Sequence, residues 1–221
     1  MKKAFTLLEL VFVIVVIGIL VAVIIPNTRR DTLREAAMQL VSHIRYTQHL
    51  AMIDDRFDAT NPKWFQGRWQ IVFENAITEP KYSIFSDKPT YTGNADLAEI
   101  AIDPLNRNKI LSGGGTALTS SSATAKLNNK LNLKKTYNIV NIALTNKDNS
   151  TKGCKAQTRI SFDHLGRPIA GPLDSSGSVS RDKPYKKIRL LSKTCVITLT
   201  NLNGNTILIE LEPETGYVHI L

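Results

Sequence analysis

The 221-residue chain is short of the residues that most often do chemistry: it has two cysteines and four histidines. Neither Cys154 nor Cys195 belongs to a Cys-x-x-Cys pair or stands beside a histidine, which leaves no zinc or redox motif in the sequence. Gly-x-Ser-x-Gly, P-loop and His-Glu-x-x-His strings are absent. Asp163-His164 is adjacent in sequence, but it lies among turn-forming residues, where both types occur for local hydrogen-bonding reasons. His43 and His49 are six residues apart and do not stack on one helical face. The expectation is a protein that is not an enzyme. Acids are scarce as well, 19 against 28 Lys and Arg, for a formal charge of +9. Acid-poor loops offer no carboxylate cluster for calcium, so neither metal nor cofactor is expected. Aromatics make up only 7% of the chain, which leaves its basic stretches little with which to stack single-stranded bases. The basic balance suits an anionic partner without demanding one.

What the chain has is one long apolar run. From Leu10 to Ile25 only Gly18 is not clearly apolar, and counted from Phe5 the run is about long enough, at 1.5 Å per residue, to cross a ~30 Å hydrocarbon core. A secretory signal peptide would be shorter and would end in a small-x-small site that Val21 to Asn27 does not offer. Glu9 is the anomaly. A carboxylate in such a run costs roughly 2.5–3.5 kcal/mol at a helix centre and needs a partner. No basic residue follows it before Arg29. Proteolysis between Ala4 and Phe5 would create one, because the new α-amino group, with a reference pKa of about 8, is a cation at the membrane end. The charge pair would then join neighbouring chains and order their side-by-side packing. A plain single-span anchor explains the length of the run but leaves Glu9 unexplained.

The segment Lys2-Lys3-Ala4-Phe5-Thr6-Leu7-Leu8-Glu9 with its apolar continuation to Pro26 resembles the class III leader and N-terminal helix of type IV pilins and type II secretion pseudopilins. The resemblance implies cleavage by a prepilin peptidase after Ala4, N-methylation of Phe5, and Glu9 as the carboxylate that registers subunits during assembly. Ala4 departs from the glycine usual in the family. The partners implied are other pilins or pseudopilins met through the N-terminal helix, the peptidase, the inner-membrane assembly platform, and secreted cargo or DNA. The location implied is the bacterial inner membrane, single-pass, with the globular part in the periplasm and later in a filament. Charge alone does not orient the span, since Lys2 and Lys3 precede it and Arg29, Arg30 and Arg34 follow it.

After Pro26 the pattern becomes amphipathic. Leu33, Ala37, Leu40, Ile44 and Ala51 fall on one stripe, with Ala36, Val41 and Leu50 beside it. The helical pattern fades at Asp54-Asp55 and cannot pass Asn61-Pro62, so the two halves could extend as one rod of roughly 80 Å. Arg34-Glu35-Ala36-Ala37, Leu40, Ile44-Arg45 and Ala51-Met52-Ile53 resemble the GspH/FimT group of minor pseudopilins, as do Phe162 with Gly166-Arg167-Pro168 and the terminal Thr215-Gly216-Tyr217-Val218. The expected fold is α+β: a long N-terminal helix, half membrane-spanning and half amphipathic, packed on antiparallel sheet. The expected divisions are a leader at 1–4, a transmembrane helix at 5–26, an amphipathic helix at 27–58, and a β-rich domain at 59–221.

Beyond the helix the period is two. Trp69 to Phe73 and Tyr82 to Phe85 read as a hairpin, Tyr137 to Leu144 as a third strand, and Arg159–Phe162, Lys187–Leu190, Val196–Leu199, Ile207–Leu211 and a short terminal segment as further strands, with Asn203-Gly204 as a hairpin turn. Residues 103–135, with Gly113-Gly114-Gly115 and Ser120-Ser121-Ser122, read as a flexible polar insertion. In an exported domain Cys154 and Cys195 are expected to form one disulfide, worth about 4 kcal/mol in the chain-entropy model; two buried thiols are the alternative. Lys183, Lys186, Lys187, Arg189 and Lys193 crowd one stretch and are the candidate anion or DNA contacts, the alternative being a solvated charged face.

Overall fold

The computed structural model describes residues 6–27, 31–74, 79–115, 118–151, 153–173 and 190–221, without the side chains of 22–27. The chain divides into two compact units, Met1–Asp31 and Thr32–Leu221. The first contains one helix, α1 (Leu7–Asn27), which ends one residue past Pro26. All its described side chains, Leu7 to Val21, are exposed, and all but Glu9 and Gly18 are large and apolar. Among the described residues no helix is long and apolar enough to cross a membrane. The expected single rod depends on residues 28–30, which lie outside the described residues; the helical path is seen as two helices.

The second unit is α+β, with one helix against two antiparallel sheets. Helix α2 (Thr32–Ile53) buries Leu33, Ala36, Ala37, Leu40, Val41, Ile44, Thr47 and Ala51. This is the stripe read from the sequence, with Thr47 added and Leu50 only partly buried; the Thr47 hydroxyl donates to the His43 carbonyl at 2.8 Å, which lets a polar residue sit in the stripe. Helix α2 falls within the second unit, Thr32–Leu221, where its stripe is covered by both sheets.

The antiparallel strands form two sheets of four each. The first has the order β2-β1-β4-β5, from β1 (Trp69–Glu74), β2 (Lys81–Ser86), β4 (Arg159–Phe162) and β5 (Pro168–Ala170). The second has the order β3-β6-β7-β8, from β3 (Ile139–Asn146), β6 (Cys195–Asn201), β7 (Thr206–Leu211) and β8 (Val218–Ile220). Helix α2 lies against β1 and β4 of one and β6, β7 and β8 of the other. Ile71, Ile160, Ile197 and Ile209, all fully buried, join its stripe in one core. The strand read as starting at Tyr137 begins at Ile139, because Tyr137 closes the short helix α4 (Leu133–Tyr137) and Asn138 caps it in the left-handed region. The strand expected at 187–190 lies outside the described residues but for Leu190, which bridges Ile169.

Among its described residues the 103–135 stretch is packed, not loose. Ser112 bridges Ser83, Ile110 bridges both Ile102 and Leu127, and α3 (Ser121–Lys126) is capped by Ser120. Leu111, Leu131 and Leu133 are fully buried in the main core, and Leu118 and Ala123 in a second cluster with Phe85 and Ile100. Its glycine run serves close approach: a Cβ on Gly113 would lie 2.5 Å from the Leu131 backbone.

Candidate functional site

The position singled out in the apolar run, Glu9, sits in the first turn of α1. Its Oε2 accepts from the Thr6 amide and the Thr6 hydroxyl, both at 3.1 Å, and the Glu9 amide donates back to Thr6 Oγ1 at 3.3 Å. This is a reciprocal capping box, which satisfies two of the orphan donors that open any helix. The signal was available as Thr-x-x-Glu ahead of an apolar run, and Thr6 is the functional residue that the sequence reading passed over. Both bonds to the carboxylate use Oε2; Oε1 has no hydrogen-bond partner among the described residues. Ala4 and Phe5, the cleavage and methylation positions, lie outside the described residues.

A second site-like feature joins the two C-terminal motifs to the helix. Gln48 Nε2 donates to the Gly166 carbonyl at 2.9 Å and the Thr215 carbonyl at 2.8 Å. The two motifs, far apart in sequence, thus converge on one amide of α2. Gly216, at φ 62°, fits only because it has no side chain, since a Cβ there would lie 2.5 Å from Gln48 Nε2 and 2.6 Å from the Gly166 oxygen. Nothing in the local sequence marks Gln48, a neutral residue on an amphipathic helix. Asp163, fully buried, accepts from the amides of Leu165 and Arg167 and from the Arg167 guanidinium at 2.8 Å. Both carboxylate oxygens are spent on holding the turn, which is the work expected of an Asp-His pair at a turn.

Cys154 and Cys195 are joined, Cα to Cα 5.8 Å, tying the loop after β3 to the start of β6. The basic stretch fares differently. Lys183, Lys186, Lys187 and Arg189 lie outside the described residues, and Lys193 is ion-paired with Asp148. Asp148, distant in sequence, is brought beside it where the Lys147 amide donates to the Thr194 carbonyl just before β6. Among the described residues no group of three or more His, Cys, Asp or Glu could hold a metal.

Compared with family models, curated proteins and solved structures, the chain matches none.

Proposed function

We propose that the chain is a minor pilin or pseudopilin of the GspH/FimT kind, a non-enzymatic structural subunit of a type II secretion pseudopilus. In this reading a prepilin peptidase cuts between Ala4 and Phe5, Phe5 is N-methylated, and the run from Phe5 to Ile25 anchors the subunit in the inner membrane with its sheets in the periplasm. The observation that carries the proposal is Glu9. It is the one charged side chain described on an otherwise apolar helix, it is fixed at the helix start by Thr6, and only one of its two oxygens is used. A carboxylate held this way can meet the α-amino group of a neighbouring chain without giving up its own cap. The disulfide between Cys154 and Cys195 supports an oxidising compartment.

The test is Glu9→Ala, expressed with the peptidase and assembly machinery. The variant is expected to remain in the membrane, still processed, but to be lost from sheared filaments. Unchanged incorporation would overturn the proposal and leave a monomeric single-pass binding protein. DNA binding by the purified chain that falls steeply with salt would move the assignment to a type IV pilus used in DNA uptake.

A further inference from the structure

A cleft of about 540 Å³ lies between α2 and the packed insertion, lined by Gln39, His43, Asp103, Lys109, Asn128 and Lys130 among others. Its volume lies within the ordinary range for ligand sites.

A side-chain relay fixes its imidazole. The Tyr137 hydroxyl donates to Gln39 Oε1 at 2.7 Å, and Gln39 Nε2 donates to Tyr82 Oη at 2.9 Å and to the Lys130 carbonyl at 2.9 Å. Tyr82 Oη lies 2.8 Å from His43 Nδ1. Tyr82 Oη accepts from Gln39, and the fully buried hydroxyl has no acceptor among the described residues other than Nδ1, so its one proton goes there. His43 is therefore the Nε2–H tautomer, with that N–H left as a donor. Burial holds the imidazole neutral, pushing its pKa down to about 4 against the pull of Asp103.

Several acceptors of the cleft are already engaged. Asp103 takes Leu105 N at 2.8 Å and Asn128 Nδ2 at 2.7 Å, Asn106 Oδ1 takes Asn108 N at 3.1 Å, and Asn128 Oδ1 takes Lys130 N at 3.0 Å. The donors facing it are His43 Nε2–H, the Lys130 ammonium, and the two protons that Lys109 Nζ keeps after donating to the Ala125 carbonyl at 2.8 Å. With His43 neutral, the charges facing the cleft are Lys109 and Lys130 against Asp103. An excess of donors with a net positive charge calls for a carboxylate. The lining has no exposed aromatic face on which a base could stack, which disfavours nucleic acid.

We propose that this cleft binds the carboxylates of an acidic peptide segment presented by a partner protein, with His43 and the two lysines as its donors.

The test uses the full chain in detergent micelles and a fluorescein-labelled tetraglutamate peptide, read by anisotropy. The peptide is expected to bind, tetraglutamine is not, and the double variant Lys109→Gln/Lys130→Gln should weaken binding on the order of tenfold, the loss equivalent to about 1.4 kcal/mol. Lys63→Gln, exposed and outside the cleft, should change little. A second readout needs no variant: the His43 Nε2–H resonance should shift on adding the peptide. The proposal is overturned if Lys63→Gln weakens binding as much as the double variant, if tetraglutamine binds as well, if a short oligonucleotide displaces the peptide at lower concentration, or if the His43 resonance stays still.

Discussion

Thr6 and Glu9 solve together a problem that Glu9 poses alone. A carboxylate on an apolar helix is costly, and the Thr6 amide and hydroxyl offset part of that cost from within the same turn. Thr6→Ala removes the side-chain half of the box, worth about 1 kcal/mol. Amide exchange at Leu7 to Glu9 should then quicken about fivefold, with the middle of α1 unchanged; equal protection in both proteins would show the box to be idle. In the globular unit two buried groups work against each other. Burial lowers the His43 pKa to about 4, so the folded state binds fewer protons there than the unfolded chain, and stability falls as pH drops from about 6.5 to 4. Burial raises the Asp87 carboxyl to about 6, despite the Gly93 and Thr92 amides that favour its charged form. Its contribution is fully present below about pH 4 and is lost as pH rises through 6. Urea melts across pH 4 to 6.5 should show a flatter loss toward acid in His43→Gln and a steeper one in Asp87→Asn than in the parent. Gly216→Ala should cost about 1–3 kcal/mol, through positive φ and the contact with Gln48, and lower Tm by a few degrees.

At the scale of elements, α2 was legible because its apolar stripe carries the full helical period and is buried in that register. The strands at β1, β2, β4, β6 and β7 were legible through alternation and turn residues. Their division into two sheets was not, since pairing β1 with β4 and β3 with β6 joins segments far apart in sequence. Glycine and serine runs such as those in the insertion have two physical uses, loose linkage and close approach. Here Gly113 permits contact with Leu131, and Ser120 caps α3. Of the candidate site, Glu9 stood out as a charge in an apolar run. Gln48 did not, since its role comes from two turns that only the fold brings together. The disulfide belongs to this scale too, because it ties the β3 exit to β6. Cys154→Ser/Cys195→Ser should cost about 2–5 kcal/mol. A melt matching that of the oxidised parent would contradict this.

For the whole molecule, an exposed apolar helix and a disulfide-tied two-sheet unit are joined in one chain of net charge +9. Such a helix has no stable place in water, and the proposed account gives it two successive hosts, a bilayer and then the core of a filament. Both depend on what happens before Thr6. The decisive measurement is the intact mass and N-terminal sequence of the protein extracted from membranes of its native host. The account predicts a chain that begins at Phe5 with a methyl group on its amine, the cation that Glu9 of a neighbour requires. A chain that still begins at Met1, with the peptidase present and active, would contradict it.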